Sequence, residues 1–374
     1  MEEKNFRPVS PFIGNMVSFP SEKRVKLDMK DRKILFELSI NPRFSNSFIG
    51  KKTGLPRETV AYRIEQLKKK GILTGSIVAI NPKAFGLTGY EVHFELKNFS
   101  MKAMQEILDY LIKHPKIRRV VECGGKSDIA IVVLAATLED FQETINRIKF
   151  RLKDFLTGFS YYPILHEDFT YYGFFLEGAD DIYSAKRLRL GAATRLESHA
   201  FQKEFLEAKR KPINNKFSLD ELDKKIIREI ETDAMMSTAE LARRLGVSHN
   251  TAAERLRALI KGNVILTAFP MVSISLLGFE WHQVLFNMDF RSKQEENSFI
   301  SYCINHPYIV YYLKYAGRYN YKISIFAKNT HHLHEILIDI RNRFQNNIVD
   351  YEPFIIFRQH KYSYVSALDQ QDKK

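Results

Sequence analysis

Leu27-Asp28-Met29-Lys30-Asp31-Arg32-Lys33-Ile34-Leu35 and Leu219-Asp220-Glu221-Leu222-Asp223-Lys224-Lys225-Ile226-Ile227 are two versions of one pattern, spaced 192 residues apart. The same offset pairs Glu37 with Glu229, Gly54 with Gly246, Thr59 with Thr251, Arg63 with Arg255 and Leu67 with Leu259. Far downstream it still holds: Gly86 with Gly278, Phe94 with Phe286, His114-Pro115 with His306-Pro307, and Gly125 with Gly317. A gapless register across helical and strand-rich stretches marks a tandem duplication. The period is too long for a solenoid repeat, so each copy is a whole module of two parts.

The first part of each module predicts three short helices. Asp28 stands as an N-cap before Ile34, Leu35 and Leu38, and Asn41-Pro42-Arg43 ends that helix. A second helix runs from Ser45 to Thr53, and Gly54 supplies the turn. The third carries Val60, Ile64 and Leu67 inward, and the run from Ile72 to Ile80 reads as wing strands. Copy two repeats this, with Gly246 at the turn and Ser248 capping a helix that buries Ala252, Leu256 and Leu259. Helix, glycine turn, helix is the geometry that delivers the later helix to a major groove. Its outward residues are the candidate DNA contacts: Arg57, Thr59, Tyr62 and Arg63 in copy one, His249, Asn250, Thr251 and Arg255 in copy two. Arginine matches guanine and asparagine matches adenine with paired hydrogen bonds, though Arg63 and Arg255 equally suit phosphates or a salt bridge within the domain.

The second part predicts β-α-β-β-α-β twice. Copy one offers Tyr90–Leu96, Met101–Lys113, Ile117–Val121, Ile129–Leu134, Leu138–Phe155 and Phe159–Thr170. Copy two offers Trp281–Met288, Phe299–Asn305, Ile309–Tyr315, Tyr321–Ala327, Leu333–Phe344 and Ile348–Phe357. The fold class is therefore α+β, a winged helix-turn-helix followed by a ferredoxin-like domain, repeated twice. The expected boundaries are a mobile arm over 1–24, helix-turn-helix units at 25–80 and 217–272, and ferredoxin-like domains at 81–175 and 273–365. A basic, helical linker fills 176–216, and a tail fills 366–374.

Together these residues resemble the Lrp/AsnC, or feast/famine, family of transcriptional regulators. The resemblance rests on Leu27-Asp28-x-x-Asp31-x-x-Ile34-Leu35 and its copy at 219–227, on Thr59-x-x-x-Arg63-Ile64-x-x-Leu67-x-x-x-Gly71-Ile72, and on the turns Gly125-Lys126-Ser127-Asp128 and Gly317-Arg318-Tyr319-Asn320. It covers about 25–172 and 217–362. It implies ferredoxin-like domains that dimerise through their sheets, with small effectors such as amino acids held near those turns. Gly125, Asp128, Gly317 and Asn320 thereby become candidate effector residues. Three departures stand out: Pro56 where the family carries serine, Asn320 in place of the acid, and two modules in one chain. The expectation is an intrachain pseudo-dimer, with further association of whole chains left open.

Composition agrees with a polyanionic partner. The formal net charge is +13 and the pI about 9.4, which favours double-stranded DNA. Residues 25–74 hold 12 Lys or Arg against 5 Asp or Glu, whereas 217–266 hold 8 against 8; copy one is thus the expected stronger binder. No run approaches the roughly 20 apolar residues of a membrane span. The N-terminal residues lack a secretory pattern, and two cysteines build no disulfide framework, which points to a cytoplasmic protein with no membrane partner. His331, His332 and His334 with His306 read as a solvated helix start rather than a metal site; no cofactor is expected. Two rival functions are a siroheme-decarboxylase-like tetrapyrrole enzyme using His306, Tyr315, Arg318, Tyr319 and Asn320, and an architectural protein with degenerate helix-turn-helices.

Overall fold

The computed structural model describes residues 16–17, 24–97, 100–178 and 219–364. The expected linker beyond 178, the tail from 365 and most of the arm lie outside the described residues. Of the arm, Met16–Val17 (β1) pairs with Gln359 and Arg358.

In copy one, α1 (Met29–Ile40), α2 (Asn46–Thr53) and α3 (Arg57–Lys69) form the helical unit. Asp28 and Ser45 each accept a main-chain N–H three residues on, satisfying donors that a helix start leaves orphaned. Gly54 turns the chain at φ 74°. Strand β2 (Leu73–Ile80) follows, then β3 (Thr88–Leu96), α4 (Met101–Lys113), β4 (Ile117–Gly124), β5 (Ile129–Ala135), α5 (Leu138–Leu152) and β6 (Leu156–Phe169). Copy two gives α6 (Glu221–Thr232), α7 (Thr238–Leu245), α8 (His249–Lys261), β7 (Ile265–Val272), β8 (Glu280–Met288), α9 (Lys293–Asn305), β9 (Ile309–Tyr315), β10 (Tyr321–Ala327), α10 (Thr330–Phe344) and β11 (Ile348–Tyr362). Helix α9 starts well before the expected Phe299, because Ser292 caps it.

The strands expected as wings are used differently. Neither copy folds its strand back on itself; β2 pairs antiparallel with β7, Ile77 opposite Phe269. The apolar residues of each strand thus gain a partner that only the other copy supplies, and the result is a ribbon joining the two helical units.

The two ferredoxin-like parts also merge. Strands run in the order β11-β4-β5-β3-β6-β9-β10-β8, and β8 pairs with β11 again. Eight antiparallel strands therefore close on themselves within one chain, leaving no sheet edge between the halves. The long strands do this work: β6 pairs with β3 through Leu156–Pro163 and with β9 through Ile164–Phe169. On the outer face Phe94, Leu111, Ile131, Phe141 and Ile148 pack the helices of copy one onto its strands. Strand β5 is buried at every position because its other side faces the barrel interior.

That interior holds a buried ion pair. Lys322 on β10, wholly buried, places Nζ 2.5 and 2.6 Å from the carboxylate of Glu91 on β3. Tyr315 donates to the same carboxylate and His93 lies 3.2 Å from it. The repeat-related positions are Gln283 and Ala130, so this ion pair exists once and crosses between the copies.

After each last strand the chain clasps its own helical unit. Tyr172 donates its N–H to Ser39, and Arg32 donates to the Phe174 carbonyl. In copy two Tyr364 N–H and Ser363 Oγ both donate to Glu231 on α6.

Candidate nucleic-acid interface and hinge cavity

Helices α3 and α8 hold the eight residues expected at DNA. Tyr62 is 65% exposed, and Arg57, His249 and Asn250 are also exposed near the helix starts. These four present donors and a ring to solvent from the face opposite Val60, Ile64 and Leu67, or Ala252, Leu256 and Leu259. Thr59 is half-buried. Thr251 shares the cap of α8, its Oγ1 2.8 Å from Ser248 Oγ and its N–H donated to the same oxygen. Pro56 precedes α3 without a side-chain cap.

Arg63 and Arg255 take the within-domain salt bridge that their sequence also allowed. Arg63 Nη1 lies 2.8 Å from Asp28 and 2.7 Å from Asp31. Arg255 repeats the contact with Asp220 at 2.8 Å and Asp223 at 3.4 Å. Each guanidinium ties the third helix to the start of the first. Burial pulls against the charge on Arg63, but Asp31 and Asp28 outweigh it and hold its pKa above the usual arginine value. Arg63→Ala is thus expected to loosen the first helical unit by roughly 1–3 kcal/mol, the range for hydrogen bonds to charged groups. Arg255→Ala, at a more exposed site, costs less. Thermal melts of both variants check this; an unchanged melt with lost DNA affinity would return Arg63 to the base-reading set.

The loop of copy two before α7 touches both the matching loop of copy one and strand β2. Arg43 donates to the Ala234 carbonyl at 3.1 Å, and Met235 N–H to Ser76 Oγ at 3.0 Å. Burial lowers the Arg43 pKa, with Asp233 opposing it. The two reading helices are therefore fixed on one body rather than hung separately. Exposed Lys68, Lys69 and Lys70 at the end of α3 supply three cations where copy two has one, its equivalent positions being Ile260, Lys261 and Gly262.

The turns expected to hold an effector are built as strand clamps. Gly125 and Gly317 take φ 130° and 138°. Asp128 Oδ2 accepts the Leu96 N–H at 2.7 Å. Asn320 takes the Met288 N–H at 2.8 Å and returns its own amide to the Met288 carbonyl at 2.7 Å. Both side chains therefore serve the end of a strand, and the amide replaces the acid without loss of that bond. A Cβ on Gly124 would meet the Phe357 ring at 2.5 Å, so that ring fills the space beside the first turn.

The residues considered for a tetrapyrrole do not converge. His306 precedes β9 and Arg318, Tyr319 and Asn320 follow it, about 20 Å apart at strand rise. Tyr315 is buried on Glu91, and Arg318 and Tyr319 bond Asp350. Burial lowers the His306 pKa to about 4. His331 and His334 are exposed on α10, and no group of three or more His, Cys, Asp or Glu is placed to hold a metal ion among the described residues. Among them, too, no helix is long and apolar enough to cross a membrane.

A feature missed in sequence lies at the hinge. A cavity of about 340 Å³ opens between the residues after β2, strand β6 and the stretch joining α8 to β7. Lys83 and His166 stand exposed on it; Arg118, Glu167 and Asp168 are buried in its wall. The available signal was a break in the repeat: Gly89, Arg118 and Glu167 stand where copy two has Trp281, Val310 and Gln359.

Comparison with known proteins places this architecture. A family model described as the AsnC-type helix-turn-helix domain matches 27–68 and 219–260. An uncharacterized HTH-type transcriptional regulator of Pyrococcus abyssi is 31% identical over 115 residues, 30% of this chain and 77% of that protein. The transcriptional regulator AzlB of Bacillus subtilis is 26% identical over 122 residues, 32% of this chain and 78% of that protein. Among solved structures, the siroheme decarboxylase NirDL covers 92% of this chain and 97% of its own, with a TM-score of 0.54 and 12% identity. At that identity the likeness is one of fold.

Proposed function

We propose that this chain, which belongs to the Lrp/AsnC family of DNA-binding transcriptional regulators, reads two adjacent major-groove segments with the paired helices α3 and α8 of a single polypeptide. The observation that carries this reading is the β2–β7 ribbon, which fixes both helix-turn-helix units on one body with Arg57, Tyr62, His249 and Asn250 facing outward. Thr59 and Thr251 support the helix starts, and Arg63 and Arg255 hold the reading helices in place. Copy one binds more tightly, because its cationic flank neutralises phosphates that copy two leaves uncovered. A small-molecule effector adjusts this affinity; Gly125, Asp128, Gly317 and Asn320 shape the turns and so keep the barrel walls in register.

The test is selection of genomic duplex fragments followed by titration at several salt concentrations. The expected result is tight, salt-dependent binding, with Arg57→Ala/Tyr62→Ala losing at least tenfold, since one good base contact is worth about 1–3 kcal/mol. The same change at His249/Asn250 should cost less. Absence of binding to any duplex in dilute buffer would overturn the reading and favour a purely architectural role.

A further inference from the structure

The duplication has kept the frame of its two reading helices and changed their faces. Ile77 lies opposite Phe269, its own counterpart at the 192-residue offset, so the β2–β7 ribbon relates the two helix-turn-helix units by an approximate twofold rotation. Within the first two turns of α3 and α8 the polar residues held in common are Thr59 with Thr251 and Arg63 with Arg255. Thr59 is half-buried, Thr251 closes the cap of α8, and both arginines are held by aspartates of their own unit. What the helices share thus belongs largely to the scaffold. The outward positions behave in the opposite way. Arg57 is matched by His249, Glu58 by Asn250, Tyr62 by Glu254 and Glu65 by Arg257. All eight are exposed, no pair is alike, and with histidine neutral the formal charge differs within every pair.

We propose that the chain recognises a non-palindromic duplex site, with Arg57 and Glu58 selecting a G·C pair under α3 and Asn250 an A·T pair under α8. Two identical helices on a twofold would call for an inverted repeat in the DNA. Here the twofold sets only where the two halves lie, because the side chains it brings to the grooves differ in chemistry. Arginine grips O6 and N7 of guanine, and a carboxylate accepts from N4 of cytosine; the asparagine amide pairs with N6 and N7 of adenine. These residues occupy the first two positions of their helices, the end that reaches base edges in this motif. Two further contrasts separate the halves. Glu65 is tied to Lys68 at 2.9 Å, whereas Arg257 lines the cleft between the two units beside His249. Lys68 and Lys70 flank α3 where Ile260 and Gly262 follow α8, so the guanine half also carries the denser phosphate contact. The proposal rests on the DNA-binding reading and adds to it which base pair each half requires.

The experiment is selection of duplexes from a randomised library by the full chain, read as the base preference at each position. The expected consensus has two unlike halves, one requiring G·C and the other A·T. Arg57→Ala should lower discrimination about tenfold in the first half alone, and Asn250→Ala about tenfold in the second alone. The graft His249→Arg/Asn250→Glu/Glu254→Tyr/Arg257→Glu gives α8 the exposed residues of α3, and it should turn the consensus into an inverted repeat of the first half. All four sites lie at the surface, so the melt of the graft should match that of the native chain. Should it not, the reverse graft Arg57→His/Glu58→Asn/Tyr62→Glu/Glu65→Arg carries the same test, its expected consensus being an inverted repeat of the second half. An inverted repeat selected by the native chain would overturn the proposal. So would grafts that leave the two halves as they were, or single substitutions that relax both halves equally. Failure to enrich any duplex would overturn the earlier reading and this one together, whereas a palindromic consensus would sink this one alone.

Discussion

Lys322→Ala is expected to cost about 3–5 kcal/mol, the penalty for removing one partner of a buried ion pair, and to lower the melting temperature by on the order of 10 °C. Lys322 is 0% and Glu91 1% exposed, so the carboxylate left behind has no water to turn to. Tyr315 and His93 would still touch it without supplying a fixed charge, and Arg119 would act on it only through space. Removing both charges should be far milder. The double variant Glu91→Gln/Lys322→Ala reproduces the pair found across the barrel at Gln283 and Ala130, so its melt should lie closer to the native protein than that of Lys322→Ala. Acid gives an independent check. Burial alone would raise the Glu91 pKa, yet Lys322 and His93 hold it well below the ordinary carboxylate value. The unfolded chain therefore takes up this proton first as pH falls. Stability from the pair is present above the ordinary carboxylate range and drains away below it. The double variant should lose that part of the acid sensitivity; equal melts for the single and double variants would show the pair to be inert.

Gly50→Ala should destabilise the first helix-turn-helix by about 1–3 kcal/mol, as overpacking of a tight contact does, and the addition of Pro56→Ser should recover most of it. A Cβ at residue 50 would stand 2.5 Å from the Leu55 carbonyl oxygen, a distance that requires the main chain to retreat. Leu55 precedes a proline, which confines it to extended backbone and limits that retreat. Copy two shows the alternative solution: Ala242 and Ser248 occupy the equivalent positions, and the serine caps its helix. The glycine of copy one and its proline are therefore a matched set. Thermal melts of the single and double variants test this directly. A single variant as stable as the native chain would remove the argument, and so would a double variant no better than the single.

Much of the architecture was legible from residues alone, because a repeat reports itself. The spacing of Val60, Ile64 and Leu67, the caps at Asp28 and Ser248, and the alternation within each β-α-β-β-α-β run all depend on near neighbours. What stayed hidden depends on partners far away in sequence. A lone apolar strand at 73–80 looks like a wing until residues 265–272 are laid beside it. Arg63 reads as an outward cation until Asp28 and Asp31 are seen beneath it, although those aspartates belong to the same opening pattern as the leucines used to find the repeat. Asp128 was placed in its turn by the sequence, but its bond from the Leu96 N–H, 32 residues away, was not visible there. The cavity at the hinge was recoverable in principle, by asking where the two copies disagree rather than where they agree. Gly89 against Trp281 is the largest such disagreement in side-chain volume, and it marks the spot.

The closure of eight strands from one chain also bears on how such a protein would respond to its own abundance. A regulator assembled from separate chains loses its second reading head on dilution, so its occupancy of a promoter falls steeply when copies are scarce. Here the stoichiometry of the two heads is set at translation. Were the single chain the whole binding unit, promoter occupancy would follow abundance along a simple saturation curve, and each head would be free to drift toward a different half of an asymmetric operator.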